Sequence, residues 1–153
     1  MNCRYKAWYL KEFPIGRLTL IDKPHLYFDG MKTGGMTKEA FLSLKDDIET
    51  NGLINPIVVE VDSGPKYRIA MGNNRVEAAL LLGYETIKVV AIHRCTEPMY
   101  EDGTAERLTD DVFLSRMKEL HPGDELWKKS AWAQFILKFI AEKTNDPTIL
   151  KVA

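Results

Sequence analysis

Residues 66–92 read KYRIAMGNNRVEAALLLGYETIKVVAI, and three patterns follow one another within them. Hydrophilic and hydrophobic side chains alternate along residues 66–71, which predicts a half-buried strand. Residues 75–82 are strong helix formers that end at Gly83, and the β-branched run at 87–92 predicts a buried strand. This order of strand, turn, helix and strand is typical of a compact α/β unit.

The residues before this segment predict a further helix. Thr37 is a candidate N-cap, because a threonine hydroxyl can accept a hydrogen bond from the first helical turn. Apolar side chains follow at helical spacing, and the pair Asn51-Gly52 supplies a C-terminal stop. The pattern therefore predicts an amphipathic helix over residues 37–51.

A further strand is predicted between that helix and residues 66–71. Pro56 can only begin it, since proline lacks the N–H group that a central strand needs. Residues 57–61 are mostly β-branched, and residues 62–65 read Asp-Ser-Gly-Pro, which is typical of a turn. The two strands are therefore expected to form a hairpin.

The chain divides into three segments. Residues 1–95 are expected to form the α/β domain, with short strand candidates around residues 17–21. Residues 96–104 are polar and rich in turn formers, which is typical of a linker. Residues 105–153 are expected to form a helical extension that packs on the domain.

This extension contains two amphipathic patterns. The first predicts a helix over residues 105–120, and Asp124 is a candidate N-cap for the second helix. Five apolar residues of the second helix recur at helical spacing: Trp132, Phe135, Ile136, Phe139 and Ile140. We expect this face to cover the domain core, and the same face would also suit a protein partner or a second copy of the chain.

Composition narrows the classes of function. The chain has 153 residues, 45% of them hydrophobic, and a net charge of -1, which is typical of a soluble globular domain and excludes a disordered or collagenous protein. Two cysteines and the lack of a secretory signal or an apolar span predict a cytoplasmic protein that contacts no membrane. The small size suits a protein of a phage or mobile element.

The charge is distributed unevenly along the chain. Residues 1–35 hold six basic and three acidic residues, whereas the last third is acidic. A balanced total argues against a dedicated DNA-binding domain, because phosphate neutralisation supplies most of the affinity for a duplex. If the chain contacts DNA, the candidate residues are in its N-terminal part: Arg4, Lys6, Lys11 and Arg17.

Residues 72–75, Gly-Asn-Asn-Arg, stand between a predicted strand and a predicted helix. A helix N-terminus presents free N–H groups and the positive end of the helix dipole, and the Arg75 guanidinium adds further donors. These residues therefore form a candidate site for an anion such as a phosphate. The alternative is that these residues only connect the strand to the helix and bind no ligand, and that Arg75 pairs with Glu77 or Asp46.

A resemblance to a known family rests on three segments. They are residues 52–59 (GLINPIVV), residues 67–79 with their G-x-x-R turn, and residues 82–90. Over about residues 36–93, the chain resembles the N-terminal domain of the ParB and sulfiredoxin superfamily. This resemblance implies a compact mixed sheet with helices and a pocket for a nucleoside triphosphate. The matching turn holds CTP phosphates in ParB and ATP phosphates in sulfiredoxin, and Gly72 and Arg75 match both.

Other positions depart from the family pattern or extend it. Asn73 stands where sulfiredoxin has its reactive cysteine, so sulfiredoxin activity is not expected. Asn73 and Asn74 also stand where ParB has an acidic and a basic residue, and the magnesium-binding motif of ParB has no clear match after Ile92. By resemblance, Ser43 and Lys45 of the first helix would also face the phosphates.

Three functions follow as alternatives. The first is a domain that holds the phosphates of CTP or ATP at Gly72, Asn73, Asn74 and Arg75, and that hydrolyses the nucleotide or transfers its phosphate. Any Mg²⁺ there would be held through the nucleotide, with one or two carboxylates among Asp46, Asp47 and Glu49. The second is a DNA-binding or DNA-processing accessory protein, like the ParB-like nucleases of this family. The third is a non-catalytic module that binds a protein or a second copy of itself through the C-terminal helices.

Overall fold

The structure, a computed structural model, describes residues 5–19, 37–61, 67–94 and 105–152. Three of the predictions fall outside these ranges, namely the turn at 62–65, the linker at 96–104 and the candidate DNA contact Arg4. In the described part of the chain, helices cover both faces of one mixed sheet. The predicted α+β fold with C-terminal helices is therefore confirmed.

The described residues form a six-stranded sheet, whose strands are β1 (Tyr5–Pro14), β2 (Leu18–Thr19), β3 (Ile57–Val61), β4 (Tyr67–Met71), β5 (Thr86–Arg94) and β6 (Ala105–Arg107). Their spatial order is β2-β4-β3-β5-β1-β6. β3 and β4 pair antiparallel, which confirms the predicted hairpin. β5 lies parallel to β3 on its other side, and β1 pairs antiparallel with both β5 and β6.

One face of the sheet is covered by α1 (Lys38–Asn51) and α2 (Asn73–Leu81). Thr37 caps α1 as predicted, because its hydroxyl accepts a hydrogen bond from the Ala40 N–H at 3.2 Å. Gly52, with a φ of 80°, ends the helix as predicted. Apolar side chains of both helices form one core with the side chains that β3 and β5 direct to this face.

The other face is covered by α3 (Asp110–Leu120) and α4 (Ala131–Thr144). In this second core, the ring of Phe113 lies 6.0 Å from that of Trp127 and 6.2 Å from that of Trp132. Both helices pack on the sheet, as their amphipathic patterns predict. Within the four described ranges, no helix combines the length and the apolar character that crossing a membrane requires.

The aromatic face of α4 is buried in part. Trp132, Ile136 and Ile140 lie in the second core, as expected for a face that covers the sheet. Phe135 is 38% exposed and its ring stacks on that of Phe139, with 5.5 Å between the centroids. A role for this exposed ring pair in binding a partner stays a prediction.

The N-terminal strand differs most from the sequence prediction. The pattern predicts strands only around residues 17–21, where the structure has the short β2. It does not predict the ten-residue β1, which is followed by a 3₁₀ turn at Ile15–Arg17. β1 is buried on both faces, with Tyr9 in one core and Leu10 and Phe13 in the other. A bulge also shifts its register between Leu10 and Phe13. Burial on both faces and the bulge together remove the regular alternation by which a strand is recognised.

Two predictions in the C-terminal part are wrong. Residues 105–107, predicted to begin a helix, form the edge strand β6 because they pair with β1, and α3 begins only at Asp110. Asp124 does not cap the second helix, since its carboxylate accepts from the Leu126 N–H at 2.7 Å. Ser130 caps α4 instead, as the residue directly before the helix. Local composition did not distinguish between these two acceptors.

Candidate anion site

Gly72 forms the junction between β4 and α2. Its φ of 119° and ψ of 17° lie in a left-handed region that favours glycine. A Cβ atom at this position would lie 2.6 Å from Cγ2 of Ile57 and 3.3 Å from Nη2 of Arg75. Glycine therefore allows β3 and the Arg75 guanidinium to approach the start of α2 this closely.

The first turn of α2 carries free backbone donors. The sequence pattern places Asn73 and Asn74 in a turn before the helix. In the structure the helix begins at Asn73, so both residues belong to its first turn. The first hydrogen bond of the helix is donated by the Val76 N–H to the Gly72 carbonyl at 2.9 Å. Among the described residues, the N–H groups of Asn73, Asn74 and Arg75 have no acceptor, and Asn74 Oδ1 is buried without a hydrogen-bond partner.

The guanidinium of Arg75 lies beside this helix end. Its Nη1 donates to the backbone carbonyl of Asn55 at 2.9 Å and to that of Pro56 at 3.3 Å. Within the described ranges it forms no ion pair with Glu77, Asp46 or any other carboxylate, so the alternative prediction of such a pair is wrong. Burial lowers the pKa of Arg75 to about 10, because desolvation disfavours the charged form.

Residues 53–56 connect α1 to β3, and side chains from distant elements hold their carbonyl groups. Lys88 of β5 donates from Nζ to the carbonyl of Leu53, and Trp132 of α4 donates from Nε1 to that of Pro56, both at 2.9 Å. The loop that anchors Arg75 is therefore itself fixed by the sheet and by the C-terminal helices.

His121 contacts the same loop, and sequence reasoning gave it no role at this site. It follows α3, and its Nε2–H donates to Asn55 Oδ1 at 2.8 Å. Its ring stacks on that of Trp127, with 6.3 Å between the centroids and an angle of 21°. His121 and Asn55 are 66 residues apart, so no local pattern in the sequence could have indicated their contact.

A cavity of about 200 Å³ lies between α1, the 53–56 loop and the end of α3. The polar residues that line it, among those described, are Asp47, Asn55, Arg75 and His121. Their ionisable groups are one carboxylate, one partly buried guanidinium and the imidazole. The rest of the lining is largely aliphatic, so the cavity combines an apolar wall with polar groups of both charges.

α1 contributes other residues to this cavity than the two expected from the resemblance. Leu44, Asp47 and Ile48 line the cavity. Ser43 is exposed and Lys45 is half-buried, and neither is among the residues that line it. The structure thus brings Arg75 together with a different set of α1 side chains.

Asp46, Asp47 and Glu49, the carboxylates considered for magnesium, are all exposed, and of the three only Asp47 lines the cavity. Asp47 Oδ1 accepts a hydrogen bond from Asn51 Nδ2 at 2.8 Å, which leaves Oδ2 for another ligand. In the part of the chain that the structure describes, no three His, Cys, Asp or Glu residues cluster as a metal site.

The candidate DNA contacts lie along β1 and its end. Lys6, near the start of β1, lies opposite His93 of β5 in the strand register. Arg17 is exposed in the 3₁₀ turn that follows β1. A strand of this length spans about 33 Å, so Lys6 and Arg17 lie far apart. Lys11, at the bulge, lines a cavity of about 220 Å³ together with Lys88. The structure therefore brings Lys11 close to Lys88 and not to the other two candidates.

The model of the ParB N-terminal domain matches residues 30–106. No curated protein matches the chain.

Three solved structures are similar to the chain. One is the C-terminally truncated chromosome-partitioning protein ParB from Caulobacter crescentus complexed with CTP-gamma-S, at 20% identity over 89% of this chain and 71% of that chain, with a TM-score of 0.41. The same protein complexed to the centromeric parS site matches at 17% identity over 93% and 68%, with a TM-score of 0.42. A Pnob8-like ParB-N domain matches at 14% identity over 95% and 51%, with a TM-score of 0.39.

Proposed function

The chain belongs to the ParB N-terminal domain family, and from that membership we propose that it binds a nucleoside triphosphate with its phosphates at residues Gly72–Arg75, the N-cap and first turn of α2. CTP and ATP are the candidate nucleotides, because this turn resembles both the CTP-phosphate turn of ParB and the ATP-phosphate turn of sulfiredoxin.

Among the described residues Arg75 has no carboxylate partner, and this observation supports the proposal most directly. A partly buried cation without a carboxylate partner is unfavourable, and a bound anion would offset its desolvation. Charge-assisted hydrogen bonds contribute about 1.5–3 kcal/mol each, against about 0.5–1.5 kcal/mol for neutral ones. The free N–H groups of Asn73 and Asn74 at the start of α2 would add donors to the same phosphate.

Magnesium fits this site through the nucleotide. Mg²⁺ in nucleotide sites is bound by one or two carboxylates plus phosphate oxygens and water. Asp47 lines the cavity that also contains Arg75, so it is the carboxylate that we propose for this role.

The proposal is tested by nucleotide binding to the wild-type protein and to Arg75→Gln. We expect CTP or ATP with Mg²⁺ to raise the melting temperature, since a ligand at 100 times its Kd adds about 2.7 kcal/mol of stability. GTP and UTP are measured in parallel to define the base preference. The loss of the guanidinium in Arg75→Gln should weaken binding by about 10-fold to 100-fold in isothermal titration calorimetry.

A matched control is Arg107→Gln, which removes the same charge from β6. Three strands separate β6 from β4, so this variant should bind the nucleotide as the wild type does. Equal affinities of Arg75→Gln and the wild type, or no binding of any of the four nucleotides, would contradict the proposal. If a nucleotide binds, the release of inorganic phosphate separates a hydrolase or phosphotransferase from a binding module.

A further inference from the structure

We infer that His121 is a positioning residue for Arg75, through which the C-terminal helices set the geometry of the phosphate site. This inference rests on the proposed function, because the geometry of Arg75 matters for binding only if Arg75 holds a phosphate. It assigns a role in the site to a part of the chain that lies on the other face of the sheet from α2.

A chain of three contacts connects the two residues. His121 Nε2 donates to the side-chain oxygen of Asn55 at 2.8 Å. The backbone carbonyl of the same Asn55 accepts from Arg75 Nη1 at 2.9 Å. A rotation of the Asn55 backbone would therefore displace the acceptor that orients the guanidinium, and the imidazole restrains that rotation.

The neighbours of His121 hold it in this position. The His121 ring stacks on Trp127, which is 6% exposed, so the imidazole is fixed against the second core. Trp132 restrains the other carbonyl that Arg75 uses, since it donates to Pro56 at 2.9 Å. Both acceptors of Nη1 are thus held by residues that follow α3 in the sequence.

Restraint of Arg75 should favour phosphate binding for an entropic reason. A free arginine side chain loses a large amount of rotamer entropy when it is fixed by a ligand. Anchoring Nη1 on two carbonyls removes part of this loss before binding. Nη2 then remains on the side of Gly72, 3.3 Å from where a Cβ atom would be, at the start of α2.

The test compares His121→Leu and His121→Gln with the wild type. Leucine removes the donor to Asn55, whereas the glutamine amide can donate from a similar place. We expect His121→Leu to weaken nucleotide binding about tenfold, which corresponds to about 1.4 kcal/mol, and His121→Gln to restore the affinity to within about twofold of the wild type. The side-chain Nε–H resonance of Arg75, assigned by its loss in Arg75→Gln, should shift in His121→Leu and return in His121→Gln.

A second variant covers the case that His121→Leu does not fold. Asn55→Ala removes the acceptor of the imidazole but keeps the backbone carbonyl that Arg75 uses, so we expect the same tenfold loss of affinity. In the double variant the two losses should not add, because both break one contact.

The outcomes separate the inference from the proposed function. An unchanged Arg75 resonance in His121→Leu, an unchanged affinity in that variant, or fully additive losses with Asn55→Ala would overturn the inference. If the wild type binds no nucleotide, the proposed function fails and the inference fails as a statement about binding. The Arg75 resonance would then still decide whether His121 holds the guanidinium.

Discussion

Replacement of Gly72 by alanine is expected to lower the free energy of unfolding by about 2–5 kcal/mol. A non-glycine residue in a left-handed conformation is strained by about 1–2 kcal/mol, and Gly72 has a φ of 119°. The new Cβ would also lie 2.6 Å from Cγ2 and 2.9 Å from Cβ of Ile57. Overpacking of this kind costs about 1–3 kcal/mol, because Ile57 is fully buried at the centre of the sheet and cannot move aside freely.

Gly83→Ala is the matched control for this prediction. Gly83 has a φ of 84°, but a Cβ at this position would meet no heavy atom within 4 Å. This variant should therefore lose only the conformational part, about 1–2 kcal/mol. Urea denaturation of the two variants measures the difference, and equal destabilisation would show that contact with Ile57 does not matter.

Gly72→Ala should also weaken nucleotide binding beyond its effect on stability. The added methyl group would lie 3.3 Å from Arg75 Nη2 and at the start of α2, where the phosphate is proposed to bind. We expect a loss of affinity at temperatures at which the variant is fully folded, measured by calorimetry. Wild-type affinity in a folded Gly72→Ala protein would place the phosphate elsewhere.

Trp132→Ala is expected to destabilise the protein by about 3–5 kcal/mol, the usual range for a buried Trp or Phe truncated to alanine. The Trp132 ring is 7% exposed and packs against Phe113 in the second core, so its removal leaves a cavity between α4 and the sheet. The variant also removes the donor to the Pro56 carbonyl, which then keeps only the longer bond from Arg75 at 3.3 Å.

Two further variants separate these contributions. Trp132→Phe keeps an aromatic ring but removes the indole N–H, and the lost hydrogen bond should account for about 0.5–1.5 kcal/mol of its effect. Phe135→Ala truncates a partly exposed ring on the same helix, which stacks on Phe139, and should cost about 1 kcal/mol. Equilibrium unfolding measures all three, and a Trp132→Ala loss no larger than that of Phe135→Ala would contradict the burial of Trp132.

Much of the central unit follows from short stretches of sequence. Thr37 and Gly52 mark the ends of α1 because a cap and a left-handed stop act within one helical turn. The hairpin of β3 and β4 is predicted for a similar reason, since only five residues separate the two strands along the chain. The N-terminal β1 was missed because its burial on both faces and its bulge depend on β5 and β6, which lie more than 70 residues away along the chain.

At the candidate site, too, some features follow from the local sequence and others depend on the tertiary structure. Gly72 and Arg75 were identified from four consecutive residues, because a helix N-terminus and a nearby arginine are local features. Whether Arg75 would pair with Glu77 or Asp46, or take another partner, could not be predicted, because the choice depends on which acceptors the fold brings to it. The fold brings the carbonyl of Asn55, 20 residues away, and packs the C-terminal helices so that His121 holds that loop from the opposite side.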